Sequence, residues 1–400
     1  MLALGVAIML VAAIMVSGCS ASGSSGGATE KKAEPIRIGA VLSLTGTYAG
    51  LGVPEKRAID LEVAKINDEG GVNGRPIEVI IEDDATDPAT AQSVTVKLID
   101  QEGVVAVLGA TGTGGTMGMR ADIERAQIPQ VSMAGGSVIT DQLSPWVFQT
   151  PWPNRIVVPF VLNYLKSKGV TKLAMISDSG GYGKDGKAVT EKDFAAAGMT
   201  LVANEVFNLG DKDMTAQLTK IKGAGADALL VWAAGSEGST ILKNAKDLDL
   251  TASLTSGLIV GTPGAARKEL IESSGDAANG FEFAAGRILL PESYGTATQA
   301  YKVATDFIDR YKAEYGTEPD IFAGHAYDAL HITVEALKRL PADADIDPVA
   351  LRDEIEATNG FVGIGGTFTY TPEDHNGLTE KDLVMYRIEN GAWTLAEGAK

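Results

Sequence analysis

The stretch IRIGAVLSLTGTYAGLGVPEKRAIDLEVAKIN, residues 36–67, decides the fold class. Its first part, Ile36 to Leu42, is a short apolar run rich in β-branched residues, which is typical of a buried strand. The part from Val53 to Asn67 is amphipathic and predicts a helix. A second β-branched run, Ile77 to Glu82, follows a pair of glycines and predicts another strand. Strand, helix and strand in this order predict an α/β protein.

The same alternation continues along most of the chain, with glycines at the joints. Further strands are predicted at 104–108, 130–133, 172–177, 201–207 and 228–232, and further helices at 88–101, 116–126, 154–168, 186–197, 214–223 and 239–248. The sequence Pro151-Trp152-Pro153 interrupts this series and predicts a boundary between two lobes. The alternation breaks near residues 281–291, and helices at 296–315 and 320–340 precede hairpin-like strands beyond Gly360.

Residues 1–18 carry no charge and are nearly all apolar or small, as in a signal peptide. They end in Val16-Ser17-Gly18-Cys19, which resembles the bacterial lipobox, where the cysteine receives a diacylglycerol after cleavage. We therefore expect an exported protein in the periplasm or on the outer face of the cell membrane, anchored by lipid on Cys19 and a flexible linker up to residue 34. The alternative is a buried apolar helix with a chance cysteine. The Lys or Arg typical of a signal is missing, which indicates an upstream start codon.

The composition limits the classes of partner. A formal net charge of −18 argues against nucleic-acid binding and against adhesion to anionic lipid, since both need clustered Lys and Arg. The single cysteine allows neither an intramolecular disulfide nor a Cys-rich zinc site. His325 and His331 lie six residues apart on one predicted helix and do not share a face, so no metal site is expected. The expected partners are small molecules or proteins, without a cofactor.

Two glycine-rich segments are similar to nucleotide-binding motifs. Each segment differs from its motif at one position that the motif requires. Residues 181–188, GYGKDGKA, nearly match a P-loop, but Ala188 replaces the Ser or Thr whose hydroxyl holds Mg²⁺. Residues 109–116, GATGTGGT, nearly match a dinucleotide fingerprint, but Met117 occupies its third glycine position. The second segment still offers backbone N–H groups and hydroxyls to a carboxylate at a helix N-terminus. A nucleotide hydrolase is kept as the alternative reading.

Several stretches resemble one known family in the same order along the chain: IGAVLSLTGTYA (38–49), AKINDEGGVNG (64–74), EDDATDP (82–88) and YGKDG (182–186). They are similar to the leucine/isoleucine/valine-binding family of extracellular solute receptors. The resemblance implies a type I periplasmic binding protein fold, with two doubly wound Rossmann-like lobes joined by a three-strand hinge. Lobe 1 would comprise residues 36–150 and 286–365, and lobe 2 residues 151–285 and 366–398.

The same resemblance implies a monomeric receptor without catalysis. It would close like a Venus flytrap over a small ligand, either a branched-chain amino acid or a related carboxylate or amide, and deliver this ligand to an ABC permease. A ligand-sensing receptor domain that signals to a partner is the other reading. We expect the ligand to be bound by a set of residues from both lobes: Thr113, Gly114, Ala134, Gly136, Ser137, Tyr182, Trp232, Leu258 and Tyr327.

One position in this set bears on the nature of the ligand. Leu258 is predicted to stand where amino-acid receptors of the family carry an acidic residue. Burying an ammonium group without a counter-charge costs several kcal/mol, so either Glu237 or Asp178 supplies the charge or the ligand has no ammonium. A branched-chain amino acid is therefore kept among the candidate ligands. For Tyr182 and Tyr327, ordinary packing in the core is the alternative role.

Overall fold

Two separate sheets organise the chain, and each forms the centre of one α/β lobe. The structure, a computed structural model, describes residues 34–342 and 344–398. The predicted signal segment, Cys19 and the linker up to residue 33 lie outside the described residues. Within the described ranges, no helix is both long and apolar enough to cross a membrane.

The regular elements follow one another in chain order. The strands are β1 (Ile36–Leu42), β2 (Ile77–Asp83), β3 (Val107–Gly109), β4 (Gln130–Ser132), β5 (Val147–Gln149), β6 (Lys172–Asp178), β7 (Thr200–Phe207), β8 (Ala228–Trp232), β9 (Leu258–Gly261), β10 (Glu282–Ala285), β11 (Asn359–Val362), β12 (Thr367–Thr369), β13 (Val384–Glu389) and β14 (Ala392–Leu395). The helices are α1 (Ala49–Asp68), α2 (Pro88–Lys97), α3 (Thr113–Ala126), α4 (Val138–Asp141), α5 (Asn154–Ser167), α6 (Gly181–Asp193), α7 (Thr215–Gly223), α8 (Glu237–Asp247), α9 (Lys268–Ser274), α10 (Gln299–Tyr315), α11 (Ile321–Arg339) and α12 (Pro348–Glu356).

The first lobe is built on a parallel sheet with the order β2-β1-β3-β4-β5. Helices cover both faces of this sheet, so β1 is buried on both sides. Ile38, Ala40 and Leu42 point to one face and join the core formed with α1, while Val41 points to the other face and packs with residues of α2 and α3. Successive side chains alternate between the two faces. Because both faces are covered, β1 is a nearly continuous apolar run.

The second lobe contains a seven-stranded sheet with the order β14-β13-β10-β9-β8-β6-β7. Strands β6 to β10 run parallel, and β13 and β14 continue the sheet as antiparallel strands. The order β7-β6-β8-β9-β10 repeats the order of the first sheet, which makes the two lobes similar in architecture.

The chain passes between the lobes three times, near residues 150–153, 286–290 and 377–383, and these residues lie outside regular strands. The expected lobe boundary at residue 366 is wrong. Strand β12 pairs with β11, and the ring of His375 stacks on that of Phe148 in β5 with 4.2 Å between ring centroids. Residues 366–376 therefore pack with the first lobe, and the third crossing comes later.

The strand orders place a ligand site between the lobes. In open parallel sheets, ligands bind beyond the carboxyl ends of the strands where the strand order reverses. That point lies between β1 and β3 in the first sheet and between β6 and β8 in the second. The loops that leave these four strands all reach the same region, because their residues line one cavity or lie directly behind it.

Candidate functional site

A cleft with about 450 Å³ of space free of atoms, part of it open to solvent, lies between the lobes. The first lobe and the first crossing supply most of its lining: Tyr48, Leu51, Thr111, Gly112, Thr113, Met133, Ala134, Gly135, Pro151, Trp152, Ile321, Phe322 and His325. The second lobe supplies Tyr182, Ala234, Pro263 and Gly264. Most of these residues follow the carboxyl end of a strand. Since both lobes line the cavity, a molecule inside it would hold them together.

Thr113 is the first residue of α3 and lies against the cavity with 2% of its surface exposed. Its Oγ1 atom is buried and has no hydrogen-bond partner within the described part of the chain. The neighbouring Thr111 is different, because its hydroxyl donates to the carboxylate of Glu55 and accepts the N–H of Ser43 (3.0 Å). Thr113 is therefore free to bind a ligand, whereas Thr111 supports the loop.

Aromatic rings form much of the remaining wall. Tyr48 and Tyr182 approach from opposite lobes, and Tyr182 packs against Trp232 with 6.1 Å between ring centroids. Trp152 meets His325 edge to face at 5.5 Å. The Nε1 atom of Trp152 and the Nδ1 atom of His325 are both buried without a partner in the described chain. Burial lowers the pKa of His325 to about 3, so its imidazole is neutral at physiological pH.

No carboxylate, ammonium or guanidinium group belongs to a residue that lines the cavity, among the residues described. Several acids lie just behind the wall without lining the space. Glu55 accepts from Thr111, and Asp178 and Glu237 act electrostatically on the hydroxyl of Tyr48. Burial raises the pKa of Asp178 to about 7, although the N–H groups of Gly180 and Gly183 donate to its Oδ1 (2.8 and 3.3 Å). Asp178 is therefore only partly ionised near neutral pH.

Three of the expected site residues line the cavity, namely Thr113, Ala134 and Tyr182. The two glycines do not. Gly114 borders the contact between the lobes, and Gly136 lies behind Thr113, where a Cβ would meet the threonine side chain. The carbonyl of Gly136 accepts from Gln149 Nε2 at 2.9 Å.

Ser137 does not line the cavity either. Its polar groups form hydrogen bonds between the two lobes. Its N–H donates to Asp185 Oδ2 in α6 at 2.8 Å, and its hydroxyl oxygen accepts the N–H of Arg155 at 2.6 Å. Trp232 lies behind Tyr182 and is fully buried, so it supports the cavity wall from outside.

The placement of Leu258 in the site is wrong. Leu258 is the first residue of β9 and pairs with Ala228, the first residue of β8, at the edge of the sheet opposite the cleft. The residues that reach the cavity follow the end of β9 and are Pro263 and Gly264. Neither Pro263 nor Gly264 carries a charge.

The placement of Tyr327 is also wrong. Its ring packs between Phe307 of α10 (5.0 Å) and His331 (4.1 Å), away from the cavity. Phe322 and His325 form the face of α11 that lines the cavity. Residues three apart share a helix face, whereas residues two apart lie about 200° around the axis from each other.

Tyr48, Trp152, Phe322 and His325 were missed by sequence reasoning. For Tyr48 and Trp152 a signal existed, because Tyr48 follows β1 at the reversal of strand order and Trp152 stands in the proline-flanked crossing. For Phe322 and His325 none existed, because only packing decides which face of α11 meets the cavity.

Comparison with known proteins agrees with this geometry. The family model described as "Periplasmic binding protein" matches residues 35–392. The chain belongs to the periplasmic binding protein family. It is similar to the leucine-, isoleucine-, valine-, threonine- and alanine-binding protein of Pseudomonas aeruginosa, with 25% identity over 371 residues and 90% of each chain covered.

Solved structures show the same fold. An extracellular ligand-binding receptor from Rhodopseudomonas palustris HaA2 has a TM-score of 0.83 and 25% identity, covering 91% of this chain and 100% of its own. The branched-chain amino acid transporter substrate binding protein LivJ from Streptococcus pneumoniae, in complex with isoleucine, has a TM-score of 0.77 and 27% identity, covering 90% and 99%. The predicted family and the two-lobed α/β fold of type I periplasmic binding proteins are confirmed.

Proposed function

We propose that this protein is the extracytoplasmic solute-binding component of an ABC importer, which captures a small ligand by closing its two lobes and delivers it to the permease. The observation that carries this proposal is the cavity between the facing reversal points of the two sheets. Its wall contains Thr113, whose buried hydroxyl is free at the N-terminus of a helix of 14 residues. The names of the relatives support transport of a branched-chain amino acid. The proposal extends to related small carboxylates and amides.

The geometry gives little support to the alternative of a nucleotide hydrolase. A P-loop binds phosphate with a glycine-rich loop that precedes a helix. Here residues 181–188 lie inside α6, which begins at Gly181. The carboxylate of Asp185 is bonded to the first lobe, so this segment acts as a contact between lobes.

We propose further that the chain is exported and lipid-anchored at Cys19, which would keep a mobile receptor beside its permease. Incorporation of a labelled fatty acid into the full-length protein tests this proposal. Label should be lost in Cys19→Ala and kept in Ser20→Ala, because only the thiol can carry the diacylglycerol. Label that persists in Cys19→Ala contradicts the anchor.

Solute binding itself is tested by a thermal-shift screen of the chain from Glu34 onward, which forms one compact unit. The panel contains amino acids, their amides, and aliphatic and aromatic carboxylates. A ligand present at 100 times its dissociation constant stabilises the folded state by about 2.7 kcal/mol, enough to raise the melting temperature measurably. Any ligand retained through purification is identified by mass spectrometry after denaturation. A protein that is not stabilised by the panel and releases no small molecule contradicts the proposed function.

A further inference from the structure

Three buried polar atoms belong to residues that line the cavity and have no hydrogen-bond partner in the described chain. They are Oγ1 of Thr113, Nε1 of Trp152 and Nδ1 of His325, and each residue is 2% exposed. A buried polar atom without a partner costs about 1–3 kcal/mol, so most such atoms in native proteins are paired. The three residues meet at one cavity, so a molecule bound there can supply the missing partners. Trp152 and His325 also line a smaller cavity beside Gly286 and Ile364.

The chemistry of these atoms limits what the partner can be. The indole N–H of Trp152 can only donate, so the ligand must present an acceptor to it. A neutral imidazole can donate or accept, and the hydroxyl of Thr113 can do both. An ammonium group only donates and cannot satisfy Trp152. Hydroxyl, carbonyl and carboxylate oxygens can satisfy all three residues.

The charges around the cavity also argue against an ammonium group in the ligand. No residue of the cavity wall, within the described chain, carries a carboxylate that could neutralise an ammonium group. Glu55, Asp178 and Glu237 lie behind the wall, and each keeps one buried carboxylate oxygen without a partner in the described chain. Burial raises the pKa of Glu55 and of Asp178, which makes both carboxyls weak counter-charges for an ammonium group. A buried ammonium group without a counter-charge is strongly unfavourable. The N-terminus of α3, where Thr113 lies, instead favours an anion.

The remaining wall is apolar or aromatic and suits an apolar body. Leu51, Met133 and Phe322 come from the first lobe, and the rings of Tyr48 and Tyr182 stand on the two sides of the cleft. Such surfaces favour aliphatic chains and aromatic rings through burial and ring contacts.

We propose that the ligand is a small carboxylate with an apolar body and no α-ammonium group, and that Trp152 selects it by donating to one of its oxygens. This inference rests on the proposed function, because it names the class of solute that the same cavity takes. It also makes Trp152 a specificity-determining residue at a crossing between the lobes. The ring of Trp152 packs against Gly286 of the second crossing, where a Cβ would come within 2.2 Å of its Cη2.

Matched pairs of compounds that differ only in the α-amine test the ligand class. Leucine is compared with 4-methylpentanoate, and phenylalanine with 3-phenylpropanoate, by isothermal titration of the chain from Glu34 onward. We expect the amine-free member of at least one pair to bind at least tenfold more tightly than its amino acid. Equal or tighter binding of leucine or phenylalanine overturns the inference and leaves solute binding intact. Absence of binding by all four compounds also overturns it, while solute binding is judged separately by the wider screen.

The role of Trp152 is tested by Trp152→Phe, which removes the N–H and keeps a ring. Loss of one buried hydrogen bond should weaken binding of the amine-free compound about fivefold or more. Trp146→Phe is the matched control, because Trp146 lies outside the cavity and should leave the affinity unchanged. The melting temperature of each ligand-free variant shows whether it folds. A folded Trp152→Phe variant with unchanged affinity overturns the assignment. If Trp152→Phe does not fold, Trp152→Met, whose side chain has no hydrogen-bond donor, replaces it under the same criterion.

Discussion

Gly181, the first residue of α6, lies directly against Gly114 in the first turn of α3. A Cβ built at Gly181 would stand 2.7 Å from the backbone N of Gly114, closer than real Cβ atoms approach. These two helix N-termini come from opposite lobes and meet beside the cavity, so the structure shows the lobes in contact. Contact at this distance requires that residue 181 has no side chain.

The first prediction follows from this contact. Gly181→Ala should prevent the lobes from reaching each other and weaken ligand binding about tenfold or more, while the fold of each lobe is kept. Gly223→Ala is the control, because this helical glycine on α7 has open space around its Cβ position. Affinities are measured by isothermal titration. A Gly181→Ala protein that binds as tightly as the parent contradicts the importance of the contact.

The second prediction concerns Asp185, whose carboxylate accepts the N–H groups of Ser137 (2.8 Å) and Val138 (3.1 Å) across the cleft. Asp185→Ala removes both bonds, together with the bond that Asn154 Nδ2 donates to the same carboxylate inside the second lobe (2.7 Å). Hydrogen bonds to charged groups contribute about 1.5–3 kcal/mol each, so affinity should fall by at least tenfold because closure is less favourable. Asp193→Ala, on the last turn of the same helix, should leave affinity unchanged. Equal effects of the two substitutions would refute the role of Asp185.

The third prediction tests the ligand role of Thr113. Thr113→Val keeps the shape of the side chain and removes its hydroxyl, so binding should weaken about fivefold or more through loss of one hydrogen bond. Thr113→Ser keeps a hydroxyl and should retain most of the affinity. Titration with the tightest compound from the screen measures both effects. Similar affinities for the Val and Ser variants would remove Thr113 from the binding site.

The fourth prediction concerns stability and pH. Asp328 of α11 accepts the N–H groups of Ile364 (2.6 Å) and Gly365 (2.7 Å) inside the first lobe, and burial raises its pKa to about 8. The folded protein therefore keeps a proton on this carboxyl that the unfolded chain releases near pH 4. The stabilisation from this proton is complete below about pH 4 and is lost as pH rises through about 8.

Urea unfolding at several pH values checks this expectation. The free energy of unfolding of the parent should fall between pH 4 and pH 8, and Asp328→Asn should remove part of that slope. Asp309→Asn, on an exposed position of α10, serves as the control and should keep the slope of the parent. A slope that is the same in all three proteins would show that Asp328 is not the titrating group.

Long elements with a clear period could be predicted from the sequence, and short buried ones could not. Strand β1 was predicted with its observed bounds, because seven consecutive residues carry the signal. Strand β5, with three residues, and strands β9 and β10, with four each, were missed. Such short buried runs have no period of their own, and pairing with neighbouring strands is what makes them extended.

The glycine-rich start of α6 was predicted as a loop, since Gly181 and Gly183 have low helix propensity. The helix begins at Gly181 because a local bond overrides that propensity. Oδ1 of Asp178 accepts the N–H groups of Gly180 and Gly183, which satisfies donors that the start of a helix leaves free. This contact depends on the side-chain conformation of Asp178, which the sequence does not show.

In the candidate site, too, the sequence indicates which residues follow a strand but not which side chains face the cavity. Thr113, Ala134 and Tyr182 line the cavity, and each follows the carboxyl end of a strand. Leu258 was misplaced because counting along the chain cannot show where β9 begins. Tyr327 was misplaced because a helix as buried as α11 offers apolar or aromatic side chains on several faces.

The central claim is that ligand binding closes the lobes, and a distance between labels on the two lobes tests it most directly. The chain from Glu34 onward has no native cysteine, so Ser93→Cys on α2 and Ala216→Cys on α7, both exposed, can carry spin labels. Pulsed electron resonance then gives the distance distribution with and without the compound that produces the largest thermal shift. We predict a shift of several ångströms to a single shorter distance at saturation. An unchanged distribution in the presence of bound ligand would contradict the account.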